Sequence, residues 1–376
     1  MFDQPPLWFI AVAFLCAIGP LVFIHEMGHY LVARWFGIGA EQFSIGFGRE
    51  IAGWTDKRGT RWKIGWLPLG GYVRFIGDMN PASQAAADTN LTVQQRAVAF
   101  HNKPWWKRFL VVLAGPMANF LLAIAIFAVF FATFGIPRTP ALVGEVQQGS
   151  VAASIGLRPG DRIETIAGQN VGSFEDMRRI VSIRPDERVD IQFERDGRDR
   201  TVAATLGAHT LTDEFGQTYR VGLLGVLGGQ RVLERSAIGS VVPEATRYTF
   251  ALTRSMIDGL AQIITGRRST KDLGGPLKMA QIAGQQASLG AFEFIQLLAL
   301  FSINLGFINL LPVPMLDGGH LVFYAAEAVR RKPVSERAQE WAFRGGLAML
   351  LALIMFTTVN DLASFGLFER LGRLIG

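Results

Sequence analysis

The stretch Leu7-Trp8-Phe9-Ile10-Ala11-Val12-Ala13-Phe14-Leu15-Cys16-Ala17-Ile18-Gly19-Pro20-Leu21-Val22-Phe23-Ile24 runs without a charge directly into His25-Glu26-Met27-Gly28-His29. The apolar run is long enough to enter a bilayer as a helix. Two imidazoles and a carboxylate at its end are costly in hydrocarbon, and ionisable groups in a span mark a functional site. On a helix, His25 and His29 stand at i and i+4 and project from one face. Glu26 lies beside them, as in the metal-binding pattern H-E-x-x-H, where the glutamate serves as a general base. The apolar flank continues through Tyr30-Leu31-Val32-Ala33, so the pentapeptide does not sit on a solvated helix.

Composition sets the class. Of 376 residues, 50% are hydrophobic, 28 are Phe and only 18% are charged. With a positive mean hydropathy of +0.27, this suits a polytopic membrane protein carrying a soluble insert and excludes a disordered or fibrous chain. The net charge of +6 does not indicate nucleic acid, because the basic residues flank apolar segments instead of clustering on one helix or sheet. The single cysteine, Cys16, lies inside the first apolar run. That rules out a disulfide framework and a Cys-based metal site. The first span lacks a basic leader and reads as retained, not cleaved.

Four apolar segments predict four transmembrane helices: residues 1–36 with the histidines, 108–135, 291–323 and 341–364. Basic residues concentrate between the first and second spans and again at Arg330-Arg331-Lys332, Arg337 and Arg344. Both of those loops, 37–107 and 324–340, are therefore expected on the cytoplasmic side. The two termini, the 365–376 tail and the long region between spans two and three are expected outside. Trp105-Trp106-Lys107-Arg108 reads as an interfacial anchor.

Two pieces lie outside the spans. In the first loop, Arg61-Trp62-Lys63-Ile64-Gly65-Trp66-Leu67-Pro68-Leu69-Gly70-Gly71-Tyr72-Val73-Arg74-Phe75 alternates aromatic and polar residues between Gly and Pro, as β-strands do. It is too apolar for a solvated loop and is expected against the membrane or the site. Residues 136–228 read as one small α+β unit, with strands at Val143-Gly144-Glu145-Val146 and Val189-Asp190-Ile191-Gln192-Phe193 and a helix near Phe174. The 229–290 segment reads as an interfacial helical stretch.

A catalytic zinc site takes three protein ligands, and the histidine pair offers two. The other acid in an equally improbable place is Asp317, in Asn309-Leu310-Leu311-Pro312-Val313-Pro314-Met315-Leu316-Asp317-Gly318. Pro312 and Pro314 break the helix and free backbone groups, which membranes tolerate only inside protein or a wet cavity. The topology places Asp317 near the cytoplasmic end of span three, level with His25 and His29.

These motifs, with Gly115-Pro116-Met117-Ala118-Asn119 in the second span, resemble the site-2 protease family of intramembrane zinc proteases (peptidase family M50B), of the bacterial regulator of sigma-E protease type. Gly149-Ser150-Val151-Ala152-Ala153 and Gly156-Leu157-Arg158-Pro159-Gly160-Asp161-Arg162-Ile163 resemble a PDZ domain. Well-known members carry two such domains in tandem, whereas this chain has room for one. The resemblance implies a four-helix polytopic fold with a membrane-associated β region and one inserted PDZ-like domain, located in the bacterial inner membrane. It implies that His25, His29 and Asp317 hold Zn²⁺, that Glu26 is the general base, and that Gly115, Pro116 and Asn119 are a structural motif. It further implies hydrolysis within transmembrane segments of single-span proteins, as a second cut after an upstream site-1 protease. Anti-sigma factors and signal-peptide remnants are the expected substrates. Substrate contacts are expected at Gly70, Gly71, Tyr72 and Val73 by β-addition and at Asn309, Pro312 and Pro314. Partners are then such substrates and membrane lipid, with no nucleic acid. Two rival classes are a non-catalytic adaptor and a metal transporter. Loss of Glu26 or Asp317 would favour the adaptor, and polar residues lining spans two and four would favour the transporter.

Overall fold

Helix α1 (Leu7–Trp35) buries Ala13, Ala17, Leu21, His25, His29 and Ala33. These are one residue in four along a single stripe, the neighbour spacing on a helix. The histidines thus continue the face that the small residues Ala13 and Ala17 begin. In the computed structural model the described residues are 5–77, 92–212, 218–229, 232–234, 237–265 and 274–364. The expected tail at 365–376 lies outside them.

The chain divides into two compact units. The first holds residues 1–127, 242–260 and 269–376. In it α1 leads into strands β1 (Ala40–Thr55) and β2 (Arg61–Phe75), a short helix α2 (Val93–Val98), and helix α3 (Trp105–Phe134). Later come α6 (Ile238–Ile264), α7 (Pro276–Leu289), α8 (Ala291–Leu310), α9 (Asp317–Arg330) and α10 (Glu336–Ser364). Among the described residues, four helices are long and apolar enough to cross a membrane: Leu7–Trp35, Trp105–Phe134, Ala291–Leu310 and Arg337–Ala363.

Close approach of α1 and α3 depends on missing side chains. A Cβ on Gly28 would strike the backbone of Ala114, with the Ala118 Cβ at 2.8 Å. On the other side of α1, Gly284 of α7 lies against Ile10, whose Cα would be 3.0 Å from an added Cβ. Within the 229–290 segment, α7 packs along the first span. Its N-terminus is held by Asp361 of α10, which accepts from Gly275 N (2.9 Å) and Lys278 N (3.0 Å).

The third span also differs from expectation. It stops at Leu310, and Asp317 opens a separate helix that runs to Arg330. Two prolines and the positive φ of Met315 (84°) make residues 311–316 a turn. The paired glycines let α9 fold back onto it: a Cβ on Gly319 would meet Val313 O at 2.5 Å, and one on Gly318 would meet Leu310 O at 2.5 Å.

The β region is more folded than a hairpin. Residues 61–64 pair with 52–55, as a hairpin requires, and also with 42–45, while 42–45 pair on their other side with 71–74. Irregular register with positive φ at Gly46 and Gly48 bends the strand so that it can pair twice. Residues 71–75 are left as an edge, with no strand on their far side among the described residues. Asp56 ties this region to α1 by accepting from Trp62 Nε1 (3.1 Å) and Tyr30 Oη (3.4 Å).

The second unit holds residues 128–241 and 261–268. Strands β3 (Ile136–Arg138), β4 (Val143–Val146), β5 (Arg162–Ile166), β6 (Gln169–Asn170), β7 (Arg188–Arg195) and β8 (Arg198–Thr205) come with helices α4 (Val151–Ser154) and α5 (Phe174–Ser182). The short strands β9 (Gly207–Thr212), β10 (Thr218–Leu223), β11 (Val226–Gly228) and β12 (Val232–Glu234) follow. One sheet has the order β6-β5-β7-β8. Alternate residues Val189, Ile191 and Phe193 of β7 face a core with Met177, Ile180 and Val181 of α5, matching strand and helix periods respectively. Asp161, in the turn before β5, is bound by Arg195 through both Nε and Nη2 (2.6 Å each) and by Arg158 N (2.7 Å).

Candidate metal centre and active site

Two elements converge. From α1 come His25 and His29, both buried, and from the first residue of α9 comes Asp317. His25 Nε2 and His29 Nε2 are 3.2 Å apart, and Asp317 Oδ2 lies 3.0 Å from the first and 3.5 Å from the second. Ligand atoms around a tetrahedral zinc at about 2.0–2.2 Å stand roughly 3.3–3.5 Å from one another, so the spacing fits such an ion.

The hydrogen bonding fits it too. His29 Nδ1 is 2.8 Å from Val111 O. A carbonyl only accepts, so the ring's hydrogen sits on Nδ1 and the lone pair on Nε2 faces the other two groups. Asp317 Oδ2 is buried and makes no well-formed hydrogen bond, although His25 Nε2 is within reach. A proton on His25 would engage one neighbour at a time, whereas a cation satisfies all three atoms at once. His25, His29 and Asp317 are the His/Cys/Asp/Glu group placed to hold a metal among the described residues.

The shape of α3 explains why His29 can lie where it does. Gly115 presents no side chain, and a Cβ there would overlap the His29 ring. Glycine is required for close approach, not for backbone freedom.

Glu26 is buried, and the backbone N–H of Val73 lies toward its carboxylate. The edge strand of the β region therefore reaches the site through its own main chain. Gly71 sits in the same contact: an added Cβ would come within 2.7 Å of both Ser44 O and Val22 Cγ1.

A cavity of about 380 Å³ is lined by His25, Glu26, His29 and Asp317 together with Gly70, Gly71, Tyr72, Val73 and Asn309. These expected site residues thus share one space. Pro312 and Pro314 are not among its lining residues and instead shape the turn that presents Asp317. Pro116 and Asn119 lie in α3, with Asn119 fully buried.

Sequence reasoning left out His320, Tyr324 and Phe100, which also line the cavity. His320 stands three residues after Asp317 on α9, where its ring packs on Phe343 at 5.0 Å. The i, i+3 spacing from Asp317 was the available signal. Tyr324 stacks under the Arg108 guanidinium (5.0 Å), which pairs with Glu327 at 2.6 Å.

Comparison with known proteins agrees with this chemistry. The model of peptidase family M50 matches residues 13–353. A protein of Agrobacterium fabrum that bears a zinc metalloprotease name is 44% identical over 360 residues, covering 94% of this chain and 95% of its own. Metalloprotease MmpA of Caulobacter vibrioides is 37% identical over 391 residues, covering 96% and 98%. Among solved structures, the PDZ domain of the SdrC-like protein from Listeria monocytogenes matches 25% of this chain and 90% of its own at 19% identity, with a TM-score of 0.19. By the reach of the family model and the identity of these near full-length relatives, the chain belongs to peptidase family M50 and is a zinc metalloprotease.

Proposed function

We propose that this protein hydrolyses peptide bonds within transmembrane segments of single-span membrane proteins. The carrying observation is that one cavity, at the ends of apolar helices, joins the His25–His29–Asp317 cluster, Glu26 and an unpaired sheet edge. His25, His29 and Asp317 are assigned as the zinc ligands. When bound, the ion supplies a Lewis acid that polarises a carbonyl and acidifies water. Glu26 takes the proton from the attacking water and delivers it to the leaving amine.

A helical substrate hides its amides in its own ladder and must become extended before attack. Residues 71–75 offer an edge on which it can do so. Strand residues turn their backbone groups to alternate sides, so with Val73 facing the site, Gly71 and Phe75 face it as well. A substrate strand takes those groups by β-addition, with Asn309 contacting it from α8. The reading extends to a second cut, made after an upstream protease has shortened an anti-sigma factor or left a signal-peptide remnant. The PDZ-like domain then screens what is admitted, from the outer face of a bacterial inner membrane.

The test is Glu26→Gln in full-length protein co-expressed with a single-span substrate. Cleavage should fall by about 10²–10⁴-fold, the range for loss of a general base, with zinc content unchanged. Wild-type cleavage in that variant overturns the mechanism. Val73→Pro, which deletes the N–H at the edge, should abolish cleavage of a membrane span, and undiminished cleavage there removes the edge from the reading.

A further inference from the structure

The two histidines of α1 rest on one stripe of α3 formed by Val111, Gly115 and Asn119, at i, i+4 and i+8. His29 Nδ1 meets the carbonyl of Val111, and its ring covers Gly115. His25 Nδ1 meets the side-chain amide of Asn119 at 3.1 Å. The two supports differ in kind. A backbone carbonyl is only an acceptor, so it fixes His29 in one tautomer. A side-chain amide is an acceptor at one end and a donor at the other, with nearly the same shape either way round.

We propose that Asn119 is a positioning residue for the metal, one that selects the tautomer of His25 by turning over its amide. With its NH₂ end toward Nδ1, Asn119 donates to the ring. The ring hydrogen is then on Nε2, facing Asp317 Oδ2 at 3.0 Å. That arrangement closes the site on itself. With Oδ1 toward Nδ1, Asn119 accepts the ring hydrogen there, and Nε2 presents its lone pair beside those of His29 and Asp317. That arrangement receives a cation.

Three further observations support the assignment. Asn119 is 0% exposed, so its amide meets His25 Nδ1 away from bulk solvent. The far end of its amide is buried without a partner, so no second hydrogen bond holds the group one way round. Its backbone is fixed separately, by Ser302 Oγ of α8 donating to Asn119 O at 2.8 Å, so the amide turns on an anchored residue.

This inference rests on the assignment of His25, His29 and Asp317 as the zinc ligands. The experiment measures zinc affinity of the purified full-length protein by competition with a chromophoric chelator, with thermal melting of the zinc-free protein as a check on folding. Asn119→Leu removes the acceptor at similar size and should weaken zinc ten- to a hundredfold, as loss of such supporting groups does. Asn119→Asp can only accept and should bind zinc at least as tightly as wild type. Ser302→Ala removes the α3–α8 hydrogen bond but leaves the amide, and should not change zinc affinity. Wild-type affinity in Asn119→Leu overturns the proposal, as does an Asn119→Asp variant more than tenfold weaker than wild type. The second of these decides alone if the leucine variant does not fold. Asp317→Asn is the reference: if it keeps wild-type zinc affinity, the ligand assignment fails, whatever Asn119 does.

Discussion

Asp161 and Asp317 each turn a carboxylate oxygen away from water, and they are held in opposite ways. Asp161, in the PDZ-like unit, is 2% exposed and receives two hydrogen bonds from Arg195 and one from a backbone N–H. Its charge is answered within the chain. Asp317 has no arginine or lysine partner among the described residues, and its buried oxygen faces two imidazole nitrogens. A buried carboxylate without a cation of its own is costly, so its retention in that position indicates a cation from outside. Sequence alone also sets them apart: Asp161 sits in an ordinary turn, while Asp317 is an acid in apolar surroundings at the depth of the histidines.

Breaking each acid should separate function from stability. Asp317→Asn should give the largest effect, with zinc lost and proteolysis at background. Metal analysis of the purified variant against a cleavage assay checks this, and metal-loaded, active protein would show that the convergence of the three atoms is incidental. Asp161→Asn leaves the part-exposed Arg195 facing a neutral group in place of its carboxylate partner. It should lower the melting temperature of the PDZ-like unit strongly and leave zinc content unchanged.

The pH dependence sharpens the same contrast. Burial pushes Asp161 upward, but the hydrogen bonds and charge of Arg195, with Arg158, outweigh it and hold the carboxyl below its ordinary value. The unfolded chain therefore binds the proton more readily than the folded one, and stability rises with pH across that window. The contribution is complete above the ordinary carboxylate range near 3.9 and is lost as pH falls through the depressed folded value. Acid titration of folding should show this slope in wild type and a flatter one in Asp161→Asn. An identical slope in both would mean that other carboxylates set the acid limit.

How far the sequence carried the reading depends on the kind of contact. His25, Glu26, His29 and Asp317 were legible because each is a costly residue in apolar surroundings, where chance placement is penalised. The strands and helix of the PDZ-like unit were legible from local period, as in Val189, Ile191 and Phe193. Contacts between elements distant in sequence were not. Gly115 reads as a flexible residue until the His29 ring is seen against it, and Asn119 carries no local sign of His25. The double pairing of residues 42–45 needs a bend at Gly46 and Gly48 that glycines permit but do not announce. The third span was drawn too long because two prolines show that a helix ends and not that another begins five residues later.

A third acid, Asp176, tests the scale of the comparison at its small end. Ser173 caps α5, its Oγ accepting from Asp176 N at 3.1 Å and donating to Asp176 Oδ2 at 3.0 Å. Asp176 is also held by Arg179 at 2.8 Å, on the surface. An exposed pair of this kind contributes little, and a lost cap leaves N–H groups that water can reach. Ser173→Ala should therefore cost only about 1 kcal/mol, Ser173→Gly a few tenths, and Ser173→Asp close to nothing. Thermal melts of the three variants beside Asp161→Asn order these effects. A Ser173→Ala loss as large as that of Asp161→Asn would mean that the tight binding of Asp161 by Arg195 is not what distinguishes it. The contrast between an acid answered by an arginine and one placed among metal-ligating imidazoles would then rest on Asp317 alone.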